Sequence, residues 1–124
     1  HYSSRRQRQM CIRDSLNIDT AFITAWSNDD SFDNIFVRQL EALGKSGDVL
    51  IGLSTSGNSV NVVNAAQFAR LNKINVISLT GNDSGLLNKY SDLNINIPIN
   101  STQRIQEMHI LVGHILCDIV EQAL

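Results

Sequence analysis

The stretch VLIGLSTSGNS, Val49–Ser59, joins an apolar run to a cluster of hydroxyl side chains. The apolar run ends at Leu53, and the residues after it carry the hydroxyls of Ser54, Thr55, Ser56 and Ser59. A continuous apolar run bounded by polar residues and Gly57 predicts a strand that is buried on both faces of a sheet. Ligands of open α/β sheets bind beyond the carboxyl ends of the strands, so this stretch also predicts a binding site.

Short apolar runs alternate with longer amphipathic stretches along the rest of the chain. The runs predict strands at Thr20–Trp26, Asp48–Ser54, Ile74–Thr80 and Asp92–Pro98. The amphipathic stretches predict helices at Ser31–Gly44, Asn58–Asn72 and Thr102–Leu124, with a helical turn at Leu86–Tyr90. Alternating strands and helices predict an α/β domain whose parallel sheet is covered on both faces.

Composition limits the classes of function. The 124 residues suffice for one small domain, and 43% apolar with 18% charged residues is typical of a globular protein. The net charge of −2 provides no basic surface for nucleic acid, and no apolar run is long enough to span a membrane. The two cysteines lack metal-binding spacing, which favours a reduced, cytoplasmic setting.

The first fifteen residues differ from the rest of the chain. They show neither helical nor strand periodicity, and the stretch RRQRQMCIRDS resembles translated sequencing-adapter read-through. We therefore expect residues 1–15 to be a non-native or disordered segment, with a basic nucleic-acid arm as the alternative. From Leu16 onward six basic and eleven acidic residues leave a net charge of −5.

The hydroxyl cluster of Ser54–Ser59 predicts a phosphate site. The first turn of a helix leaves backbone N–H groups unpaired, and the helix dipole adds partial positive charge there. Hydroxyls beside such a turn add further donors for an anion. The alternative is an ordinary strand-to-helix turn with one Ser or Asn as N-cap. No Lys follows the glycine and no G-x-G-x-x-G occurs, which argues against a nucleotide loop and a dinucleotide fold.

Two further groups of residues are candidates for chemistry. His114 and Gln106 lie on the face of the last predicted helix opposite its main apolar stripe. Histidine can transfer protons near neutral pH or bind a metal, although a lone helical His is commonly structural. We expect His109 to be structural.

The stretch SNDD, Ser27–Asp30, follows the first predicted strand, and it could supply an N-cap or reach a sugar hydroxyl through Asn28 or Asp29.

Three stretches together resemble the sugar isomerase (SIS) domain, and within it the phosphoheptose isomerase family: GDVLIGLSTSGNSVNV, VISLTGNDSG and RIQEMHILVGHILCDIVE. The resemblance covers about Leu16 to Leu124. It implies a parallel-sheet three-layer α/β sandwich of the SIS type that lacks its N-terminal helices and first strand, so residues 16–124 would be a partial SIS domain. It further implies a cytoplasmic homotetramer that interconverts D-sedoheptulose 7-phosphate and D-glycero-D-manno-heptose 7-phosphate. That reaction supplies heptose for lipopolysaccharide or other surface glycans.

The resemblance also implies roles for individual residues. Those that match the family's phosphate-binding positions are Ser54, Thr55, Ser56 and Ser59, and those that match its substrate contacts are Asn28, Asp29 and Gln106. Gln106 and His114 match two ligands of one zinc ion per subunit, and His114 matches the proton-transfer residue. The family's remaining ligands, a His and a Glu, precede the first strand expected here. The chain alone is therefore expected to carry half a site and to be inactive.

Two non-catalytic members of the same fold class are the alternatives. The DnaA-binding initiator-associating proteins share the RIQEMH stretch, but they carry an Arg inside the phosphate loop and no His at the position of His114. A regulatory SIS module would bind a sugar phosphate without converting it. Ser56 and His114 favour the enzyme.

Overall fold

A parallel sheet forms the centre of the part of the chain described by the structure, residues 15–123 of a computed structural model. Its strands are β1 (Val49–Ser54), β2 (Asn75–Gly81) and β3 (Leu93–Ile97), in the order β1-β2-β3. Ser54 pairs with Thr80, and Gly81 pairs with Ile97. All carboxyl ends therefore meet at one edge of the sheet, and the predicted α/β fold with a parallel sheet is confirmed.

The helices of the described residues alternate with these strands. They are α1 (Thr20–Asp29), α2 (Ile35–Leu43), α3 (Val60–Leu71) and α4 (Thr102–Gln122). Two short 3₁₀ helices cover Phe32–Asn34 and Leu86–Tyr90. The long predicted helix at 31–44 is thus a 3₁₀ turn that runs into α2, and its start is capped by the Ser31 hydroxyl, which accepts from the N–H of Asp33 at 3.0 Å.

Helix α3 packs on one face of the sheet and forms the main core. Its buried alanines, Ala65, Ala66 and Ala69, belong to the same cluster as Val76 of β2. Small side chains on the helix let its backbone approach the sheet closely, which explains why this helix needs few large residues. Gly52 of β1 serves the same approach, since a Cβ there would lie 3.1 Å from Val62. Each large aliphatic side chain fully buried here contributes about 1.5–3 kcal/mol.

The opposite face of the sheet is only partly covered by the described residues. Among the residues of α4, only Ile105 and His109 are buried. The side chains of Val49, Ile51 and Leu53 alternate onto one face of β1, and each stays about half exposed. The later apolar residues of α4 are also exposed, up to 60% at Ile110. No helix within residues 15–123 is long and apolar enough to cross a membrane.

The predicted strand at 20–26 is wrong, because these residues form most of α1. Asp19 begins the helix by accepting a hydrogen bond from the N–H of Phe22 at 2.9 Å. The hydroxyl of Thr24 donates to the carbonyl oxygen of Thr20 at 2.9 Å, so a β-branched residue is accommodated in the helix. Phe22 and Trp26, one turn apart, stack with their ring centroids 6.0 Å apart. The apolar run thus reflects a helix face and not a strand.

Because residues 20–26 form a helix, the SNDD stretch lies at the end of a helix, and the sheet has one strand fewer than predicted. Asn28 and Asp29 end helix α1, and the C-cap Asp30 donates its N–H to the carbonyl oxygen of Trp26 at 2.9 Å. They do not follow a strand. Three strands, and not the four predicted, make up the sheet of the described residues. The segment expected to be non-native, 1–15, lies outside these residues except for Ser15.

Candidate functional site

The segment Ser54–Ser59, here named the anion loop, connects the end of β1 to the start of α3. It turns sharply because Gly57 takes a φ of 66°, and the N–H of Gly57 donates to the carbonyl oxygen of Ser54 at 3.0 Å. A positive φ is accessible to glycine at little cost. The loop therefore folds back at the carboxyl edge of the sheet, where the sequence predicted a site.

Two of the four predicted phosphate-binding hydroxyls in the loop pair with each other. The Oγ atoms of Ser54 and Ser59 lie 2.9 Å apart, and Ser54 is buried. This pair closes the loop at its base. Thr55 is half-buried and Ser56 is exposed, and the Ser56 hydroxyl accepts from the N–H of Asn58 at 3.2 Å. The structure thus brings all four predicted residues into one turn, with Ser56 as its most accessible hydroxyl.

The N-terminus of α3 faces this loop without a side-chain cap. Ser59 is the N-cap residue, yet its hydroxyl makes no capping hydrogen bond, and the first turn of the helix holds no acidic residue. The N–H of Val62 donates to the side-chain oxygen of Asn61 at 2.9 Å, whereas the N–H groups of Val60 and Asn61 and the positive end of the helix dipole remain at the loop. The ordinary N-cap alternative predicts that the hydroxyl of Ser59 accepts a hydrogen bond from the first turn of the helix, and Ser59 makes no such bond.

A second segment, which the sequence pattern gave no role in the site, packs against the anion loop. This segment, Gly81–Gly85, is here named the brace loop, and it follows β2. The N–H of Gly81 donates to the carbonyl oxygen of Thr55 at 3.1 Å. Two residues after the brace loop, the N–H of Leu87 donates to the carbonyl oxygen of Gly57 at 2.9 Å. A Cβ on Gly57 would collide with the backbone carbonyl of Ser84. The two loops are therefore packed backbone against backbone.

Asn58 adds a side-chain link between the two loops. Its Oδ1 accepts from the N–H of Leu86 at 2.9 Å, and its Nδ2 donates to the carbonyl oxygen of Ser56 at 3.0 Å. The dipeptide Gly-Asn occurs in both loops, in STSGNS and in GNDSG, and it is typical of tight turns with positive φ. This shared turn signal could have indicated that the two loops fold tightly at the same edge of the sheet.

The predicted sugar contacts Asn28 and Asp29 lie at the end of helix α1. Both are exposed, and the Nδ2 of Asn28 donates to Oδ1 of Asp29 at 3.1 Å. Within residues 15–123 no hydrogen bond joins either of them to the anion loop. Their neighbourhood is tied to α3 instead, because the Nδ2 of Asn64 donates to the Oδ1 of Asn34 at 3.3 Å.

Helix α4 begins next to the anion loop. The side chain of Ile105 occupies the space that a Cβ on Gly81 would need, and the carbonyl oxygen of Thr55 borders the same space. His109 is buried, and its Nε2 lies 3.1 Å from the carbonyl oxygen of Thr80, so the prediction that His109 is structural is confirmed. The first two turns of α4 are thus fixed at the carboxyl edge of the sheet.

Gln106 and His114, the predicted zinc ligands, are exposed on this helix. They lie eight positions apart in the chain, which places their Cα atoms about 12 Å apart along the helix axis. Within residues 15–123 no group of three or more His, Cys, Asp or Glu side chains could hold a metal ion. The two side chains are accessible, but the described residues do not complete a zinc site by themselves.

The chain is similar in sequence to known phosphoheptose isomerases. The chain is 49% identical to the phosphoheptose isomerase of Sulfurimonas denitrificans over 108 residues, which are 87% of this chain and 55% of that protein. It is 50% identical to that of Helicobacter hepaticus over 117 residues, covering 94% of this chain and 60% of that protein. The chain thus spans little more than half the length of these relatives.

Solved structures of phosphoheptose isomerases have a fold similar to that of this chain. The phosphoheptose isomerase of Neisseria gonorrhoeae superposes with a TM-score of 0.84 at 45% identity, covering 86% of this chain and 61% of that one. The family comparison matches residues 6–81 to the SIS domain, a span that includes the whole anion loop. With a parallel sheet, an uncapped helix behind a hydroxyl-rich turn, and this match, the chain belongs to the SIS domain family.

Proposed function

We propose that this protein is an aldose–ketose isomerase that interconverts D-sedoheptulose 7-phosphate and D-glycero-D-manno-heptose 7-phosphate. The observation that carries the proposal is the anion loop, in which hydroxyls gather at an uncapped helix start. The similarity to phosphoheptose isomerases at about half identity supports the choice of substrate.

In this proposal the anion loop binds the 7-phosphate of the sugar. Thr55, Ser56 and the first N–H groups of α3 donate to the phosphate oxygens, while the Ser54–Ser59 pair keeps the turn closed. A hydrogen bond to a charged group contributes about 1.5–3 kcal/mol, so a few such bonds hold the phosphorylated end of the substrate firmly. In the same proposal Asn28 and Asp29, at the end of α1, contact sugar hydroxyls.

The proton transfer is assigned to His114. Isomerisation removes a proton from one carbon and returns it to the neighbouring carbon through an enediol, while the hydroxyl and carbonyl oxygens exchange roles. An exposed imidazole can accept and return such a proton near neutral pH, and a positioned acid or base accelerates a reaction by typically about 10²–10⁴-fold. His114 is accessible, as this role requires, whereas His109 is not.

Zinc is part of the proposal, with Gln106 and His114 as two of its ligands. An amide oxygen and an imidazole nitrogen are acceptable zinc donors, and both side chains are exposed. A bound zinc ion would polarise the carbonyl group of the sugar. Because the described residues do not complete the site, the remaining ligands in this proposal come from outside them.

We also propose a homotetramer that works in the cytoplasm and supplies heptose for lipopolysaccharide or another surface glycan. The exposed apolar residues of α4 support an assembly, because contiguous exposed apolar surface of this kind commonly marks an interface. The residues of that stripe are Met108, Leu111, Ile115 and Ile119, each between 39% and 56% exposed. Light scattering after size-exclusion chromatography measures the assembly directly.

The test of the function has a binding arm and a turnover arm. In the binding arm the chain is titrated with sedoheptulose 7-phosphate and with unphosphorylated sedoheptulose by calorimetry, and only the phosphorylated sugar is expected to bind. In the turnover arm the complete gene product is incubated with sedoheptulose 7-phosphate and zinc, and NMR follows the appearance of the aldose. Binding without conversion in the complete product contradicts the isomerase and supports a sugar-phosphate sensor.

A further inference from the structure

The brace loop adopts a conformation that ordinary residues avoid. Asn82 has a φ of 50°, Ser84 a φ of 71° and Gly85 a φ of 59°. A non-glycine residue in this left-handed region costs about 1–2 kcal/mol. Such a conformation persists only where surrounding contacts determine it, and Ser84 is buried with 8% exposure.

One side chain outside the loop makes the contacts that hold this conformation. The Nδ2 of Asn96, on β3, donates to the Ser84 hydroxyl at 2.6 Å and to the carbonyl oxygen of Asn82 at 2.9 Å. It thereby bonds both of the non-glycine residues with positive φ in the loop. The backbone adds a third contact, from the N–H of Asn82 to the carbonyl oxygen of Ile97 at 3.2 Å.

The position of Ser84 is transmitted to the anion loop through direct packing. The carbonyl group of Ser84 fills the space beside Gly57, and the N–H of Leu87 bonds the carbonyl oxygen of Gly57 at 2.9 Å. If Ser84 relaxed toward a negative φ, its carbonyl would rotate away from Gly57, and the turn that presents Thr55 and Ser56 would lose its support.

We propose that Asn96 is a positioning residue for anion binding, acting through Ser84 and Gly57 and not by touching the anion. This inference rests on the proposed function, because it assigns a role in holding the anion loop. It adds a residue from β3 to a site that otherwise comes from β1 and α3. A hydrogen bond to an anion depends steeply on alignment, so a loosened turn should weaken binding by about tenfold.

The experiment titrates the 124-residue chain with inorganic phosphate, followed by NMR, at a temperature where every variant is folded. The variants are Asn96→Ala, Ser84→Ala and the double substitution, and the matched control is Asn75→Ala. Asn75 is exposed at the opposite edge of the sheet, at the start of β2. Asn96→Ala is expected to weaken phosphate binding about tenfold, the control less than twofold, and the double variant no more than Asn96→Ala alone.

Amide hydrogen exchange separates positioning from general destabilisation. The amide of Leu87 is expected to exchange about tenfold faster in Asn96→Ala, while the amides within β2 exchange as in the unsubstituted chain. Unchanged phosphate affinity in Asn96→Ala overturns the inference alone. Faster exchange throughout β2 also overturns it, since Asn96 would then be structural. If the unsubstituted chain fails to bind phosphate or the sugar phosphate, the proposed function falls as well.

Discussion

Substitution of Gly57 by alanine tests the close contact on which the anion loop depends. An alanine at this position must adopt a φ of 66°, and its Cβ must displace the Ser84 carbonyl. The left-handed conformation costs about 1–2 kcal/mol. Relieving a backbone collision in a packed region costs about 1–3 kcal/mol more. We therefore expect Gly57→Ala to lower the free energy of unfolding by about 2–5 kcal/mol.

Two other glycines provide controls, one with the left-handed conformation alone and one with neither that conformation nor the collision. Gly47 has a φ of 93° but no atom within 4 Å of the position of a Cβ, so Gly47→Ala isolates the conformational cost. Gly113 lies within α4, also with no atom within 4 Å, so Gly113→Ala should stabilise the helix by up to about 1 kcal/mol. Neither substitution is expected to change the affinity for sugar phosphate, whereas Gly57→Ala is expected to abolish measurable binding.

The assays are urea unfolding followed by circular dichroism and calorimetric titration with sedoheptulose 7-phosphate. The midpoint falls in proportion to the lost stability when the slope of the transition is unchanged. If Gly57→Ala destabilised the chain no more than Gly47→Ala and bound the sugar phosphate normally, the backbone contact between the two loops would not exist as described.

Three further predictions concern the hydroxyl cluster, the two histidines and the apolar stripe. Ser56→Arg should abolish sugar-phosphate binding in calorimetry while changing the free energy of unfolding by no more than about 0.5 kcal/mol, because Ser56 is an exposed residue at the surface of the anion loop. His114→Asn should remove turnover in the complete gene product with little loss of stability. His109→Ala should cost about 2–4 kcal/mol in urea unfolding, because it empties a buried position and removes the contact between Nε2 and the carbonyl oxygen of Thr80. Ile115→Glu should convert the assembly to smaller species in light scattering, since it places a charge in the exposed apolar stripe of α4.

Each of these has an outcome that contradicts it. Retained affinity in Ser56→Arg, with Gln67→Arg on the exposed part of α3 as the charge control, would remove the anion loop from the site. Normal turnover in His114→Asn would make His114 an ordinary surface residue. A stable His109→Ala variant would show that the bond to Thr80 is dispensable. An assembly unchanged by Ile115→Glu would place the subunit contacts elsewhere.

Local sequence determined the parts of the fold in which a single pattern dominates. The strand that ends at Ser54, the helix after it and the hydroxyl cluster between them follow from apolar continuity, helical spacing and turn residues, and the structure places each of them where expected. Periodicity likewise separated His109 from His114, because five residues along a helix turn a side chain by more than a quarter of a circle. These features depend on neighbours in the chain, so the sequence carries them directly.

Tertiary structure decided what local patterns leave open. Residues 20–26 have apolar and β-branched side chains that suit either a strand or a helix. Beyond the local cap from Asp19, the long-range contact of Arg38 on α2 with the Trp26 ring belongs to the helix that the fold selects. The contact of the brace loop with Gly57 joins residues that are distant in the sequence, so helical and strand periodicity did not predict it. Positive φ at Ser84 and the bonds from Asn96 arise only when β3 lies beside β2. Long-range contacts of this kind exist only after the chain has folded, and they determine how the hydroxyl cluster is held.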